Sequence, residues 1–335
     1  MKKIIIGAFF CLSTLVYLVS GSKPDGFLHV FFLNVGQGDA ILVRTPLGKN
    51  ILVDAGPGNA VLKELKASLP YFDNKIDTAV LTHADRDHIE GFLSVIDRFE
   101  INKVYVSGVF KKDFLSEKFL KKVRAKNIPL FIADSSSDTE PENGLLMDFI
   151  FPLKKSLTVS SSVNSSSIVL KIIYGETKIL LTGDSDISAE KQILAQNVDL
   201  KSDILKIGHH GSKTSSSEEF LQAASPKLSV IPVGKGNDYG HPHKETIERL
   251  QKINSQIIRT DIEGRIEVVI SENRIETIKT QASREISAPR LLNFSSNFSY
   301  PRSIYLMSVT TVFPFAISPA RIIAAPARMS QLLIS

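Results

Sequence analysis

Three apolar, strand-like runs in this chain stop abruptly in side chains able to bind a metal ion. Ile76 to Thr82 leads into His83-Ala84-Asp85-Arg86-Asp87-His88, Leu180-Leu181-Thr182-Gly183 ends at Asp184, and Leu205-Lys206-Ile207-Gly208 ends at His209-His210. A fourth segment, Asp238-Tyr239-Gly240-His241-Pro242-His243, comes just before a helical pattern. Six of the seven histidines fall in these segments, whereas scattered surface histidines would not cluster. His29 is the exception; it sits inside the first strand-like run and reads as structural.

Counted from Thr82, the first segment puts four potential ligands in seven positions. A turn there can aim His83 and Asp85 one way and Asp87 with His88 another, enough for one or two divalent ions. Imidazole suits Zn, Mn or Fe, and carboxylate shifts the preference toward harder ions. The alternative is a capping turn, with Asp87 or His88 closing the start of a helix at Ile89. Asp184, at the end of a buried strand, is placed either to bridge two metals or to cap a helix beginning at Ile187, with Asp186 as a second carboxylate. Glycines flank the His209-His210 pair and allow close backbone approach.

Hydrophobic patterning between these segments gives strands at 27–35, 40–44, 50–54, 76–82, 103–106, 168–174, 178–181, 204–207, 228–233 and 266–270. Helices are expected over 60–69, 89–99, 113–126, 187–196, 218–224 and 244–252. Residues 160–167 read as a serine-rich loop. Strands come first in hairpins and then alternate with helices, which describes a layered α/β protein with mixed sheets and helices outside.

With 335 residues, 43% of them hydrophobic and 22% charged, the chain can bury a core, so wholesale disorder is excluded. It shows no repeat. No apolar run beyond the first twenty residues is long enough to cross a bilayer. Those first residues, Lys2-Lys3 and then an uncharged Ile4 to Val19, fit a signal peptide or an N-terminal membrane anchor over 1–22. Either one puts the rest of the chain outside the cytoplasm. The sole cysteine, Cys11, lies in this leader without a lipobox-like residue before it, so the body has no thiol chemistry.

Residues 281–335 form an atypical tail with five arginines, no lysine and the single acid Glu285. The switch in basic-residue usage suggests a frame-shifted or read-through extension, disordered and not packed on the domain. The tail and the leader lysines account for the formal charge of +5; residues 23–280 hold 33 basic and 34 acidic residues, a net of −1. Overall charge therefore gives no argument for nucleic acid. The cluster Lys111, Lys112, Lys118, Lys121 and Lys122 reads as a solvated helix face rather than a nucleic-acid track.

Leu33-Asn34-Val35-Gly36-Gln37-Gly38-Asp39-Ala40, the HADRDH segment, LLTGD, the GHHGSKTSS run at 208–216, YGHPH at 239–243 and Arg259-Thr260-Asp261-Ile262-Glu263-Gly264 occur in this order. Together they resemble the metallo-β-lactamase superfamily, and more closely the extracellular hydrolase domain of the ComEC competence proteins. The resemblance covers about residues 27–270 and implies a hydrolase domain over 25–275, without the membrane channel of full ComEC proteins. The implied fold is an αββα sandwich, two mixed β-sheets with helices on both outer faces and metals at the sheet edge between the halves.

The resemblance implies metal ligands at His83, Asp85, Asp87, His88, Asp184, His209 and His210, for one or two divalent ions: Zn or Mn, with Mg a further candidate. Three positions depart from the superfamily pattern. Asp85 stands where a second histidine is usual, Asn164-Ser165-Ser166-Ser167 stands where a middle histidine ligand is expected, and Glu90-Gly91 replaces a Gly-Gly pair. The implied activity is a metal-dependent extracytoplasmic phosphodiesterase or nuclease acting on DNA, linked to competence DNA uptake. Its partners would be DNA or another phosphodiester, a membrane uptake channel, and the membrane itself if the leader is retained.

Such a centre activates water near neutral pH. Asp87 would orient or deprotonate the attacking water, Ser212, Lys213 and Thr214 would bind phosphate oxygens, and His241 or His243 would protonate the leaving oxygen. His241 has an alternative role as a buried brace, and Lys213 as a plain solvated lysine. Two other functions fit the same motifs: hydrolysis of a small phosphoester, phosphocholine group or lactone, and a non-catalytic envelope binding module with a vestigial metal site.

Overall fold

The computed structural model describes residues 23–153 and 164–282, with the backbone of 285–286. The leader, residues 160–163 of the serine-rich loop and nearly all of the 281–335 tail lie outside the described residues. No helix among the described residues is long and apolar enough to cross a membrane.

The first half of the chain supplies β1 (Leu28–Phe32), β2 (Ile41–Arg44), β3 (Asn50–Val53), β4 (Lys75–Ile76), β5 (Thr78–Leu81), β6 (Glu100–Ile101), β7 (Val104–Val106) and β8 (Leu130–Ile132). Then follow β9 (Thr139–Glu142), β10 (Leu145–Phe151), β11 (Val169–Tyr174), β12 (Thr177–Leu181), β13 (Ile204–Lys206), β14 (Leu228–Ile231) and β15 (Gln256–Arg259). The last are β16 (Ile266–Ser271), β17 (Arg274–Thr280) and β18 (Glu285–Ile286). One sheet has the order β18-β17-β16-β1-β2-β3-β5-β7-β8 and the other β15-β14-β13-β12-β11-β10-β9, with β4 and β6 as a separate pair. Both large sheets are mixed, as expected. Antiparallel hairpins lead to parallel β3, β5, β7 and β8 in one, and to parallel β12 through β15 in the other.

Alternation along each strand builds the layers. Val30 and Phe32, Ile51 and Val53, Ile179 and Leu181, and Ile204 face a core between the sheets. Phe31, Leu52 and Ala79 face outward onto helices Ala60–Ser68, Phe92–Arg98 and Phe114–Ala125, meeting Leu65, Phe92 and Phe119. Leu180, Leu205 and Ile231 face helices Ile187–Leu194, Glu218–Ala224 and Lys244–Lys252, meeting Ile193, Phe220 and Leu250. Strands buried on both faces read as unbroken apolar runs, which is why so many were visible in sequence. The result is the αββα sandwich.

Local expectations differ in a few places. The helix expected over 89–99 is two, Arg86–Ile89 and Phe92–Arg98. At the junction a Cβ on Gly91 would lie 1.9 Å from the Ala55 carbonyl oxygen, so this backbone approach requires glycine. Strands β6, β8, β9, β10, β15, β17 and β18 fall outside the runs that the sequence marks as strands. In β10 the run Leu145-Leu146-Met147-Asp148-Phe149 alternates imperfectly, and β17 (Arg274–Thr280) is an outer strand with a mostly polar, part-exposed surface.

Parallel register aligns strand ends. Leu181 is level with Lys206 and Lys206 with Val230, while Val53 is level with Val80 and Val80 with Tyr105. The segments after these strands therefore leave the sandwich at the carboxyl ends of its parallel strands, the edge where α/β sheets bind ligands.

Candidate metal centre

Asp184 leaves β12 through the Thr182-Gly183 turn, and Gly183 takes φ of 50° there. Its Oδ2 is the point on which the site converges. His88 Nε2 lies 3.4 Å from it, His210 Nε2 3.4 Å, His209 Nε2 3.7 Å and His83 Nε2 3.9 Å. Asp87 joins from the short helix Arg86–Ile89, its Oδ2 lying 3.2 Å from His210 Nε2. Asp87, His88, Asp184 and His210 each offer one ligand atom, and these atoms lie within 4.8 Å of one another.

The histidines are oriented from behind. His88 Nδ1 lies 2.8 Å from Asp54 Oδ2, and His210 Nδ1 3.0 Å from the Pro232 carbonyl oxygen. Acceptors at Nδ1 favour a proton there, so Nε2 is the nitrogen that each ring turns toward Asp184 and would offer to an ion. Thr82 Oγ1 donates to Asp54 Oδ2 at 2.6 Å and can accept from His83 Nδ1 at 3.1 Å, so the same carboxylate steadies His83 through the hydroxyl. His83 and His88 are buried, and the Nε2 of each has no hydrogen-bond partner.

These facts test the fit to a metal. Ligand atoms about 2.0 Å from a tetrahedral ion stand about 3.3 Å apart. The 3.2–3.4 Å spacings among Asp87, His88, Asp184 and His210 match that value, and buried lone pairs without donors are what an ion would satisfy. The donor set fits a divalent cation, with Asp87, His88, Asp184 and His210 as one group. His83, Asp85 and His209 line its other side. Asp85 Oδ2 is 3.9 Å from His83 Nε2, while its Oδ1 pairs with Lys111 at 2.5 Å.

Lys206 completes the electrostatics. It follows Ile204 on the inward face of β13, so its side chain runs between the sheets, fully buried. Its ammonium pairs with Asp39 Oδ2, donates to the Gly183 carbonyl at 2.7 Å and reaches Asp184 Oδ1 at 3.4 Å. Burial opposes its charge, but the Asp39 and Asp184 carboxylates outweigh that and hold its pKa above the usual lysine value.

The other shifts follow the same competition. Burial opposes ionisation of Asp184, but His210, His88 and Lys206 prevail and keep its pKa well below the carboxylate range. Burial also opposes ionisation of Asp87, which its hydrogen bond to His210 and the nearby His88 hold low. Burial lowers His88 and His210, yet Asp184, helped by Asp54 and Asp39 respectively, raises both well above the ordinary value. His83 falls well below it through burial and the charge of His88. For Asp54 burial prevails and raises the pKa.

The loop 208–217 is clamped from two sides. Glu190 accepts the backbone N–H groups of Ser216 at 2.5 Å and Ser217 at 2.9 Å, and Arg249 donates to the carbonyls of Lys213, Ser215 and Ser216. Lys213 and Thr214 are exposed beyond the centre, and Ser212 Oγ is 2.9 Å from Thr214 Oγ1. His243 Nδ1 accepts the Lys213 N–H at 3.2 Å, which fixes its proton on Nε2. His241 stacks edge-on to His209 at 5.5 Å. Burial and then the charges of His209, His210 and His243 push its pKa down to about 4, so it is neutral at pH 7.

Some residues face elsewhere. Asp186 caps helix Ile187–Leu194 by accepting from Ala189 N–H, and also accepts from Ser165 Oγ. Asn164–Ser166 forms a single 3₁₀ turn beside the centre, and Ser167 Oγ accepts the Asp184 N–H at 3.2 Å. Glu90 turns outward, accepting from Gly58 N–H and pairing with Arg86. His29 lies between Asp25 and Glu267 on the opposite strands' surface, a structural role. Of the lysine cluster, Lys111 reaches Asp85, Lys122 pairs with Asp97, and Lys118 lies over the Phe114 ring.

Sequence reading missed Asp39, Asp54, Thr82 and Lys206 as parts of the site. The available signals were a lysine at an inward position of an apolar strand and an aspartate at the end of another.

Comparison with known families places this arrangement. The sequence model of the metallo-beta-lactamase superfamily matches residues 33–235. The chain belongs to the metallo-beta-lactamase superfamily. Members of this superfamily are generally metal-dependent hydrolases. Among curated relatives, ComE operon protein 3 of Bacillus subtilis is 29% identical over 270 residues, covering 74% of this chain and 34% of that protein. Recombination protein 2 of Haemophilus influenzae is 30% identical over 275 residues, covering 81% and 32%. Competence protein ComA of Neisseria gonorrhoeae is 29% identical over 249 residues, covering 73% and 32%. The chain thus spans about a third of the length of these relatives. The solved metallo-beta-lactamase fold protein YhfI from Bacillus subtilis superposes with a TM-score of 0.49 and 13% identity, over 72% of this chain and 99% of that one.

Proposed function

We propose that this chain is a metal-dependent phosphodiesterase that cleaves DNA outside the cytoplasm. The observation that carries the reading is the convergence of four imidazole Nε2 atoms on Asp184 Oδ2, beside Asp87. Asp87, His88, Asp184 and His210 would hold a divalent ion, Zn, Mn or Mg, which when bound would supply Lewis acidity and lower the pKa of water. A second ion would draw on His83, Asp85 and Asp184.

The chain's own residues do the rest. Asp87, anionic at neutral pH and only partly covered, accepts a hydrogen bond from the attacking water and orients it. Lys213 and Thr214, exposed beside the centre, and the Ser212 hydroxyl bind the nonbridging phosphate oxygens. His243 presents Nε2–H as donor to the leaving oxygen, its tautomer set by the Lys213 N–H. His241, neutral at pH 7, supports His209 by ring contact and hydrogen-bonds the substrate rather than delivering a full imidazolium proton. Breaking the P–O bond passes one proton from water to the leaving oxygen overall.

The location and the link to DNA uptake rest on the Lys2-Lys3 leader pattern and on relatives bearing competence names. A separate membrane channel would be the partner.

The test is cleavage of single- and double-stranded DNA by the purified chain, with Mn, Zn or Mg added singly after chelation. A small phosphoester and a lactone are run alongside. Metal-dependent cleavage of DNA that Asp184→Asn abolishes is expected. Hydrolysis of the lactone or the small ester alone moves the assignment to those substrates, and metal binding without any turnover leaves a binding module.

A further inference from the structure

The mouth of the centre carries an exposed aromatic ring that the reaction above does not use. Tyr239 is 67% exposed, and its ring stacks on His241 with centroids 5.7 Å apart and planes inclined by 22°. His241 meets His209 at 5.5 Å, and His209 Nε2 is 3.7 Å from Asp184 Oδ2. Tyr239 is therefore the outer end of a row of rings whose inner end is in the metal centre.

The ring is held in place. Asn237 Oδ1 accepts the backbone N–H of Tyr239 at 3.1 Å and of His241 at 3.0 Å, and Asn237 Nδ2 donates to the Gly234 and His241 carbonyls. Gly240, between the two rings, takes φ of 70°, which lets the turn close so that they stack. The row of rings continues to His243, 4.9 Å from His241, whose Nδ1 accepts the backbone N–H of the exposed Lys213. A fixed aromatic face in water, beside the proposed phosphodiester-cleaving centre, matches a nucleobase whose backbone enters that centre.

We propose that Tyr239, backed by His241, is a stacking subsite for an unpaired nucleobase adjoining the phosphodiester that is cut. The favoured substrate is single-stranded nucleic acid, because a base inside a duplex is already stacked and must first be extruded. This rests on the phosphodiesterase reading above.

The experiment uses the full chain with a fluorescently labelled oligothymidylate and a strand of equal length made of abasic residues. Cleavage is followed with Mn, and binding in parallel by anisotropy. Tyr239→Ala is expected to raise KM and Kd for oligothymidylate about 10-fold, with kcat little moved and no effect on the abasic strand. Tyr239→Phe, which keeps the ring, restores the low values. Equal losses on both strands, no loss, or a Phe variant as poor as the Ala variant overturns the subsite. If the wild-type chain cuts neither strand, the phosphodiesterase reading fails by itself. The subsite is then decided by anisotropy: a Kd difference specific to oligothymidylate supports it, and equal Kd values overturn it.

Discussion

Lys206 and Asp184 divide one carboxylate between two environments: the buried ammonium reaches Oδ1 at 3.4 Å, while Oδ2 faces four imidazoles. The lysine fixes which oxygen is offered to the centre. It also ties the two halves of the sandwich together, because its other carboxylate, Asp39, comes from the loop after β1.

The first prediction concerns that tie. Lys206→Met leaves Asp39 and Asp184 buried without their cation, and breaking one partner of a buried ion pair costs about 3–5 kcal/mol. In an Asp39→Asn background the same change should cost distinctly less. Urea denaturation of the four proteins of the cycle measures the coupling, and strictly additive losses would show that the pair does not act as a unit.

The orienting residues behind the histidines give the second. Asp54 accepts from both His88 Nδ1 and Thr82 Oγ1. Asp54→Ala should weaken divalent-metal affinity about 10–100-fold, the usual effect of losing such a partner. Thr82→Val removes the hydroxyl that bonds Asp54 and His83 but leaves the Asp54–His88 bond, and should fall at the lower end. Calorimetric titration of the chelated protein with Zn or Mn reads both, and unchanged affinity in Asp54→Ala counts against the orienting role.

Legibility in the sequence followed the number of faces a strand buries. β5, β12 and β13 are buried on both sides and lead into ligand-capable residues, so both strand and site segment could be read. β17 is partly exposed and mostly polar, and no run marks it. The candidate ligands lie next to one another in the chain and so formed motifs. Asp39 comes from the loop between β1 and β2, Asp54 from the residue after β3 and Lys206 from β13, and only the register Leu181 with Lys206 and the packing of the two sheets bring them together. His209 and His210 both sit at positive φ, 47° and 53°, a local conformation that decides which imidazole is buried and that no residue pattern announces.

Gly38 supplies the third prediction. It takes φ of 138°, and a Cβ there would lie 2.3 Å from the Asp87 carbonyl oxygen, where the next residue, Asp39, donates its N–H at 3.2 Å. Gly38→Ala must push the loop that carries Asp39 away from the helix that carries Asp87. Metal affinity should fall at least 10-fold, a loss comparable to that of an orienting residue. Gly36→Ala is the control: Gly36 also has positive φ, but its Cβ would meet nothing within 4 Å, so it strains the turn without displacing Asp87. Equal metal affinity in the two variants would mean that the close approach has no bearing on the centre.

His29 gives a pH prediction away from the centre. Burial disfavours its imidazolium, but the Glu267 and Asp25 carboxylates at 2.8 and 3.0 Å outweigh that and raise its pKa above the ordinary value. A group with a raised folded pKa binds its proton more tightly when folded, so protonation stabilises the fold. The contribution is complete below the unfolded value of about 6.5 and fades as pH rises through the higher folded value. Wild-type stability measured in urea should therefore decline over that alkaline-side window relative to His29→Phe, which keeps an apolar ring in β1 but cannot titrate. The decline should shrink in Glu267→Gln, because the first of the two raising partners is lost. Parallel stability curves for wild type and His29→Phe from pH 5.5 to 9 would show that the pair of carboxylates does not hold the proton.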